Sequence, residues 1–154
     1  MLHWKHILLG IAAWLTLAIA QLPALAQSTA QYRSQSGDTV FPGSAVGGCA
    51  GDVISYTTQY QGVAYTGVLQ VRSPSGIHCE GGRSRVVSGY FEEKNAAVFS
   101  GGPERGQWCS GRLTLSLYQG HGDSSAQWSH IQAAPGYDCA GAGTALKLPL
   151  IYTP

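Results

Sequence analysis

From Arg112 to Gln119 the chain alternates strictly, with Leu113, Leu115 and Leu117 on one side and Thr114, Ser116 and Tyr118 on the other. A period of two is the mark of a β-strand with one buried face. The same period runs through Ile54, Tyr56, Thr58 and Tyr60, and resumes after the Gln61-Gly62 turn in Tyr65, Leu69 and Val71. Ala126 to Ala133 is the expected partner of the Leu113 strand across the polar turn Gly120-His121-Gly122-Asp123. Arg83 to Phe91 and Ala96 to Ser100 are less regular and are expected to form two strands around a solvated turn, Glu92-Glu93-Lys94-Asn95. Leu146, Leu148 and Leu150 alternate at the end of the chain, and Pro149 among them predicts an edge position because proline has no N–H to donate to a ladder.

Glycine and cysteine organise these strands. Cys49, Cys79, Cys109 and Cys139 lie at equal gaps of 30, each followed at the second position by glycine. This is an internal repeat, and each unit reads as a hairpin opened by a Cys-x-Gly turn. Hairpins of equal length place all four cysteines at one end of the sheet, so sequence neighbours are expected to pair, Cys49 with Cys79 and Cys109 with Cys139. An even number of widely spaced cysteines favours structural disulfides over a zinc site, whose paired ligands stand two to four residues apart. The expected fold is therefore all-β: an antiparallel sandwich or small barrel of about seven or eight strands in hairpin order, with two disulfides.

The beginning of the chain reads differently. Met1 to Ala26 has Lys5, an apolar run from Ile7 to Ala20, Pro23 and the small-residue frame Ala24-Leu25-Ala26. That is the pattern of a secretory signal peptide and is shorter than a membrane-spanning helix requires. Gln27 to Gly37 is polar without alternation and is expected to be a flexible tail, which leaves residues 38–154 as one domain. Export to an oxidising compartment agrees with the disulfides, and the localisation expected is secreted or periplasmic, with no membrane span after processing.

Without the leader the nine basic residues lose Lys5 and match the eight acidic ones. The arginines are scattered, with only Arg83-Ser84-Arg85 close together, so the basic stripe that a nucleic-acid partner needs is missing. The candidate chemistry is thin. His78 precedes a half-cystine, His130 lies in an expected strand, and His121 shares a polar turn with Asp123, Ser124 and Ser125, where neighbours in sequence rarely converge as a triad. Glu92 and Glu93 point in opposite directions in extended chain, which is unsuited to paired acid and base work. No serine stands in a Gly-x-Ser-x-Gly elbow. Gly47-Gly48-Cys49-Ala50-Gly51-Asp52 fits a calcium nonapeptide poorly, with Ala50 where glycine is needed, and no metal site or cofactor is expected. Gly106-Gln107-Trp108 resembles the Gly-x-Trp signature of lipocalin-like barrels, but it falls mid-chain and nothing else of that family accompanies it. Trp108 is instead expected to pack over a disulfide.

What remains is aromatic content. Trp108, Trp128 and eight tyrosines sit in a domain of few charges, and such rings suit sugar stacking or protein contact as well as a β core. Tyr118, opposite the leucine face, with Thr114, Ser116 and Trp128, forms the expected ligand surface. The favoured function is a non-enzymatic binding domain for carbohydrate or a cell-envelope protein. The alternatives are a calycin-like barrel holding a small apolar ligand in a cavity of about 300 Å³ or more, a small hydrolase built on His121 and Asp123, and a structural envelope protein.

Overall fold

A computed structural model of the protein describes residues 29–95, 107–120 and 122–154. The expected leader, the strand expected over Ala96 to Ser100 and His121 lie outside the described residues. Eight strands follow one another: β1 Gln31–Ser34, β2 Val40–Pro42, β3 Val53–Tyr60, β4 Val63–Ser73, β5 Ser84–Asn95, β6 Trp108–Tyr118, β7 Ser124–Ala133 and β8 Leu146–Thr153. Each pairs antiparallel with the next, and β8 returns to β1, so the sheet closes into a barrel. Closure decides between the sandwich and the barrel, and it is made by the segment expected to be a tail. Tyr32 of β1 is fully buried, and Gln31 to Ser34 pair with Thr153 to Leu150. Four residues with a single large apolar side chain carry no readable period, which is why the strand is invisible in the sequence.

The interior follows the alternation. Leu113, Leu115 and Leu117 are fully buried, each worth roughly 1.5–3 kcal/mol of transfer free energy. Ile54, Tyr56, Tyr65, Leu69 and Val71 join them from β3 and β4. Phe41 stacks on Tyr56 with ring centroids 4.7 Å apart. Tyr56 lies directly across from Gly67, and a Cβ there would meet the Tyr56 ring at 2.2 Å, so only glycine lets the ring lie flat across β4. A 3-10 turn over Gly43–Gly47 buries Ala45 and Val46 and plugs one end of the barrel.

Two features differ from expectation. β5 runs unbroken through Glu92 to Asn95, where a turn was expected, and pairs directly with β6 as far as Lys94 opposite Trp108. The strand continues because Glu93 turns inward and finds donors inside. The disulfides form between the expected partners, Cys49–Cys79 and Cys109–Cys139, but the two bridges occupy opposite ends of the barrel. Two strands separate Cys49 from Cys79, and nearly two separate Cys109 from Cys139, which returns the chain to the same end. Between Cys79 and Cys109 the described chain crosses once, through β5. The equal gaps of 30 therefore do not mark three equivalent hairpins.

Pro149 lies one residue beyond the β1–β8 ladder, which stops at Leu150, so its missing N–H removes nothing from that pairing. On its other side it pairs with Ser125 of β7, inside a closed barrel and not on an open sheet edge. No described helix is long and apolar enough to cross a membrane.

Candidate functional site

The four residues expected to share a surface are divided between two sides of the wall. Tyr118 is 44% exposed, and Thr114 and Ser116 are half-buried on the same outer face of β6. Trp128 is 3% exposed and lies inside, because β7 presents Ala126 and Trp128 inward and Gln127 outward, with Trp128 opposite the inward Leu113. Trp128 is therefore not part of an outer platform. The alternation Ala126-Gln127-Trp128-Ser129 is the signal that would have placed it.

Tyr118 and Ser116 line a shallow open groove of about 850 Å³ together with Asp123, Lys147 and Tyr152. The Tyr118 ring packs against Gly122, where an added Cβ would come within 2.4 Å of it. Thr114 belongs to a different hollow. On the outer face of β4, β5 and β6, Tyr90 is 49% exposed and has two guanidinium groups over its ring, with the Arg72 Cζ 5.6 Å and the Arg112 Cζ 5.8 Å from its centroid. Arg112 is the direct cross-strand partner of Tyr90. These residues stand 40 positions apart in sequence (Arg72 and Arg112), and only the register brings them to one ring. On one side of Tyr90, Ser88 and Thr114 complete a hollow of about 200 Å³. On the other, Gln70, Glu92, Ser110, His130 and Gln132 complete one of about 440 Å³.

The wall is irregular beside this second hollow. His130 is exposed and has φ +53°, an uncommon conformation for a residue other than glycine, where β7 shifts register against β6. Gly111 accommodates the irregularity, since a Cβ there would meet the carbonyl oxygens of Ser129 and His130 at 2.7 Å. Bulges of this kind re-aim side chains beside binding surfaces. His78 is exposed in a 3-10 turn over Gly76–Cys79 and lines neither hollow beside Tyr90. Asp123, the carboxylate of the expected hydrolase pair, is exposed.

Inside the barrel, at the end opposite the 3-10 plug, the sequence reading missed a polar cluster. The Glu93 carboxylate accepts from the Tyr56 hydroxyl at 2.6 Å and from the Trp128 Nε1–H at 2.7 Å, both on Oε1. Burial pushes the Glu93 carboxyl above its ordinary range, while the two donated hydrogen bonds act in the opposite direction. Burial, followed by the neighbouring Glu93, also raises the Tyr56 and Tyr65 phenols. Tyr65 donates to the Gln107 side-chain oxygen. The cluster borders a cavity of about 40 Å³ that Thr58, Tyr60, Phe91 and Leu146 help to line. Outside the same end, Trp108 meets Tyr137 edge-on at 4.8 Å and the Lys94 Nζ at 3.8 Å from its ring centroid.

No group of three or more histidine, cysteine, aspartate or glutamate residues able to hold a metal occurs among the described residues. Comparison with known proteins returned no match to a family model, a curated protein or a solved structure.

Proposed function

We propose that this protein is an exported, non-enzymatic binding domain whose outer face takes an acidic oligosaccharide. The single observation that carries the reading is the stack of Arg72, Tyr90 and Arg112. An exposed cation–π contact is worth about 0.5–1 kcal/mol, enough to bias an otherwise mobile side chain. The ring thus serves to hold two guanidiniums on one patch, and a planar guanidinium is matched to a carboxylate by its fork of N–H donors. Ser88 and Thr114 add hydroxyls on the cationic side. Gln70, Glu92 and Gln132 offer the donors and acceptors that sugar hydroxyls need on the other. The larger hollow falls within the size range of small-molecule sites. The two disulfides agree with life in an oxidising compartment, which supports export.

A calycin-like role is less well supported. The barrel closes, but a cavity of about 40 Å³ is far below the space an apolar ligand of drug-like size occupies. Titration calorimetry with a uronic-acid oligosaccharide, against a neutral oligosaccharide of the same length, tests the proposal. Binding of the acidic sugar alone, weakened in Arg72→Ala and Arg112→Ala and screened by salt, is the expected result. Equal or absent binding of both sugars would refute it.

A further inference from the structure

We propose that the cavity at Glu93 holds the ammonium head of a linear primary alkylamine, with the carboxylate facing the cation and aromatic rings around it. This site is separate from the outer face and does not depend on the reading given there. Four observations carry it. First, Glu93 projects into the barrel and is 9% exposed, yet it borders the cavity. Second, none of the described residues lining that cavity is a lysine, arginine or histidine, so among them no cation faces the carboxylate. Lys94, the next residue, has its Nζ 3.8 Å from the centroid of the Trp108 ring. Third, the Tyr56 and Trp128 donors converge on one carboxylate oxygen and fix the orientation of the group before any ligand arrives. Fourth, the walls include Tyr60, Tyr65, Phe91 and Trp128, and aromatic walls favour a cation whose charge is only partly solvated.

Size selects the ligand class. A cavity of about 40 Å³ is small and has room for only a few water-sized groups. That admits an ammonium group and the first methylene of its chain, and excludes a sugar ring, a branched amine or a quaternary ammonium. A buried carboxylate is costly without a counter-charge, and an entering ammonium supplies one.

Binding is coupled to the ionisation of Glu93. Among the described residues, the titratable groups around it are the Tyr56 and Tyr60 phenols from β3 and the Tyr65 phenol from β4, and burial raises those of Tyr56 and Tyr65. β7 contributes Trp128, β6 the disulfide-bonded Cys109 and β8 Leu146, none of which titrates there. Because burial favours the protonated Glu93, the cation must displace that proton, and affinity rises with pH until the amine itself loses its charge.

The test follows the Trp128 indole N–H resonance, which reports directly on its bond to Glu93, during titration of the disulfide-bonded protein with n-butylamine. A saturable shift in the millimolar range, absent with 1-butanol and with tetramethylammonium, is expected. Glu93→Gln keeps an acceptor oxygen and removes the charge, and is expected to weaken binding by about tenfold or more. If that variant does not fold, the wild-type pH series decides, because affinity should increase as pH rises from the ordinary carboxylate range through the raised value of Glu93. No shift with butylamine, an equal shift with butanol, undiminished binding in folded Glu93→Gln, or a flat pH series would each overturn the proposal. Tyr90→Ala should leave butylamine binding unchanged, so failure here and failure of the outer-face reading are distinguishable.

Discussion

Replacing Tyr56 by phenylalanine removes one hydroxyl and leaves the ring in place, stacked on Phe41 and lying over Gly67. What is lost is the 2.6 Å bond to the Glu93 carboxylate in a buried setting, together with a long contact from the Trp128 indole at 3.4 Å. A hydrogen bond to a charged group contributes about 1.5–3 kcal/mol, whereas one between neutral groups contributes about 0.5–1.5 kcal/mol. The cost of Tyr56→Phe therefore depends on whether Glu93 is ionised. Burial holds the Glu93 carboxyl above its ordinary range, so the folded protein keeps a proton that the unfolded chain has released. Stability of the native protein accordingly falls as pH rises from the ordinary carboxylate range through the raised folded value. The Tyr56 hydroxyl opposes that rise, so its removal pushes the folded value higher and deepens the fall. Urea unfolding with intact disulfides at acid and at mildly alkaline pH reads the difference. Tyr56→Phe should cost about 1 kcal/mol at the acid end and about 1 kcal/mol more at the alkaline end, with m unchanged. In a Glu93→Gln background the extra alkaline cost should vanish. An identical cost at both ends, or one below about 0.5 kcal/mol throughout, would show that Glu93 is not the acceptor the geometry makes it.

The other predictions concern closure, stapling, close approach and the outer face. Tyr32→Ala should destabilise by about 3–5 kcal/mol in chemical denaturation, because a fully buried ring of the closing strand is removed; a cost within the range of a surface change would restore the tail. Replacing Cys109 and Cys139 together by serine opens a 30-residue loop and should lower stability by about 3.5 kcal/mol in the chain-entropy account, measured as the shift in urea midpoint. Gly89→Ala would set a Cβ 1.9 Å from the Gln70 carbonyl oxygen and should cost about 3 kcal/mol, while Gly47→Ala, with nothing within 4 Å, should change thermal stability little. Tyr90→Leu releases both guanidiniums, so it should leave stability within about 1 kcal/mol of the native value and weaken binding of the acidic sugar in calorimetry.

How far these features were legible varies with their range along the chain. The Leu113-Leu115-Leu117 face and the Ile54 to Val71 hairpin were visible because alternation is a local signal, and Ile54, Tyr56, Leu69, Val71 and the three leucines are buried as the period requires. The disulfide partners were also legible, though equal hairpins would put all four cysteines at one end and the barrel separates the two bridges. β1 was missed because four residues are too few for a period, and its stability comes from β8, more than a hundred residues away. Glu93 was assigned to a turn because two adjacent glutamates beside a lysine look solvated. Nothing local reveals that donors on β3 and β7 await one of them. Thr114, Ser116 and Tyr118 were placed on the outer face as found, but Trp128 was grouped with them by residue type and not by strand parity.

The period-two strands, the all-β class and the pairing of the cysteines are readable from the residues alone, since each depends on neighbours or on simple spacing. That the sheet closes, that Arg72 and Arg112 meet on Tyr90, and that a glutamate lies inside among aromatic rings emerges only from the folded barrel. The physical reason is that strand register is a long-range choice. It is set by the summed burial of whole faces, and it fixes which distant polar groups become partners without leaving a mark on either segment alone.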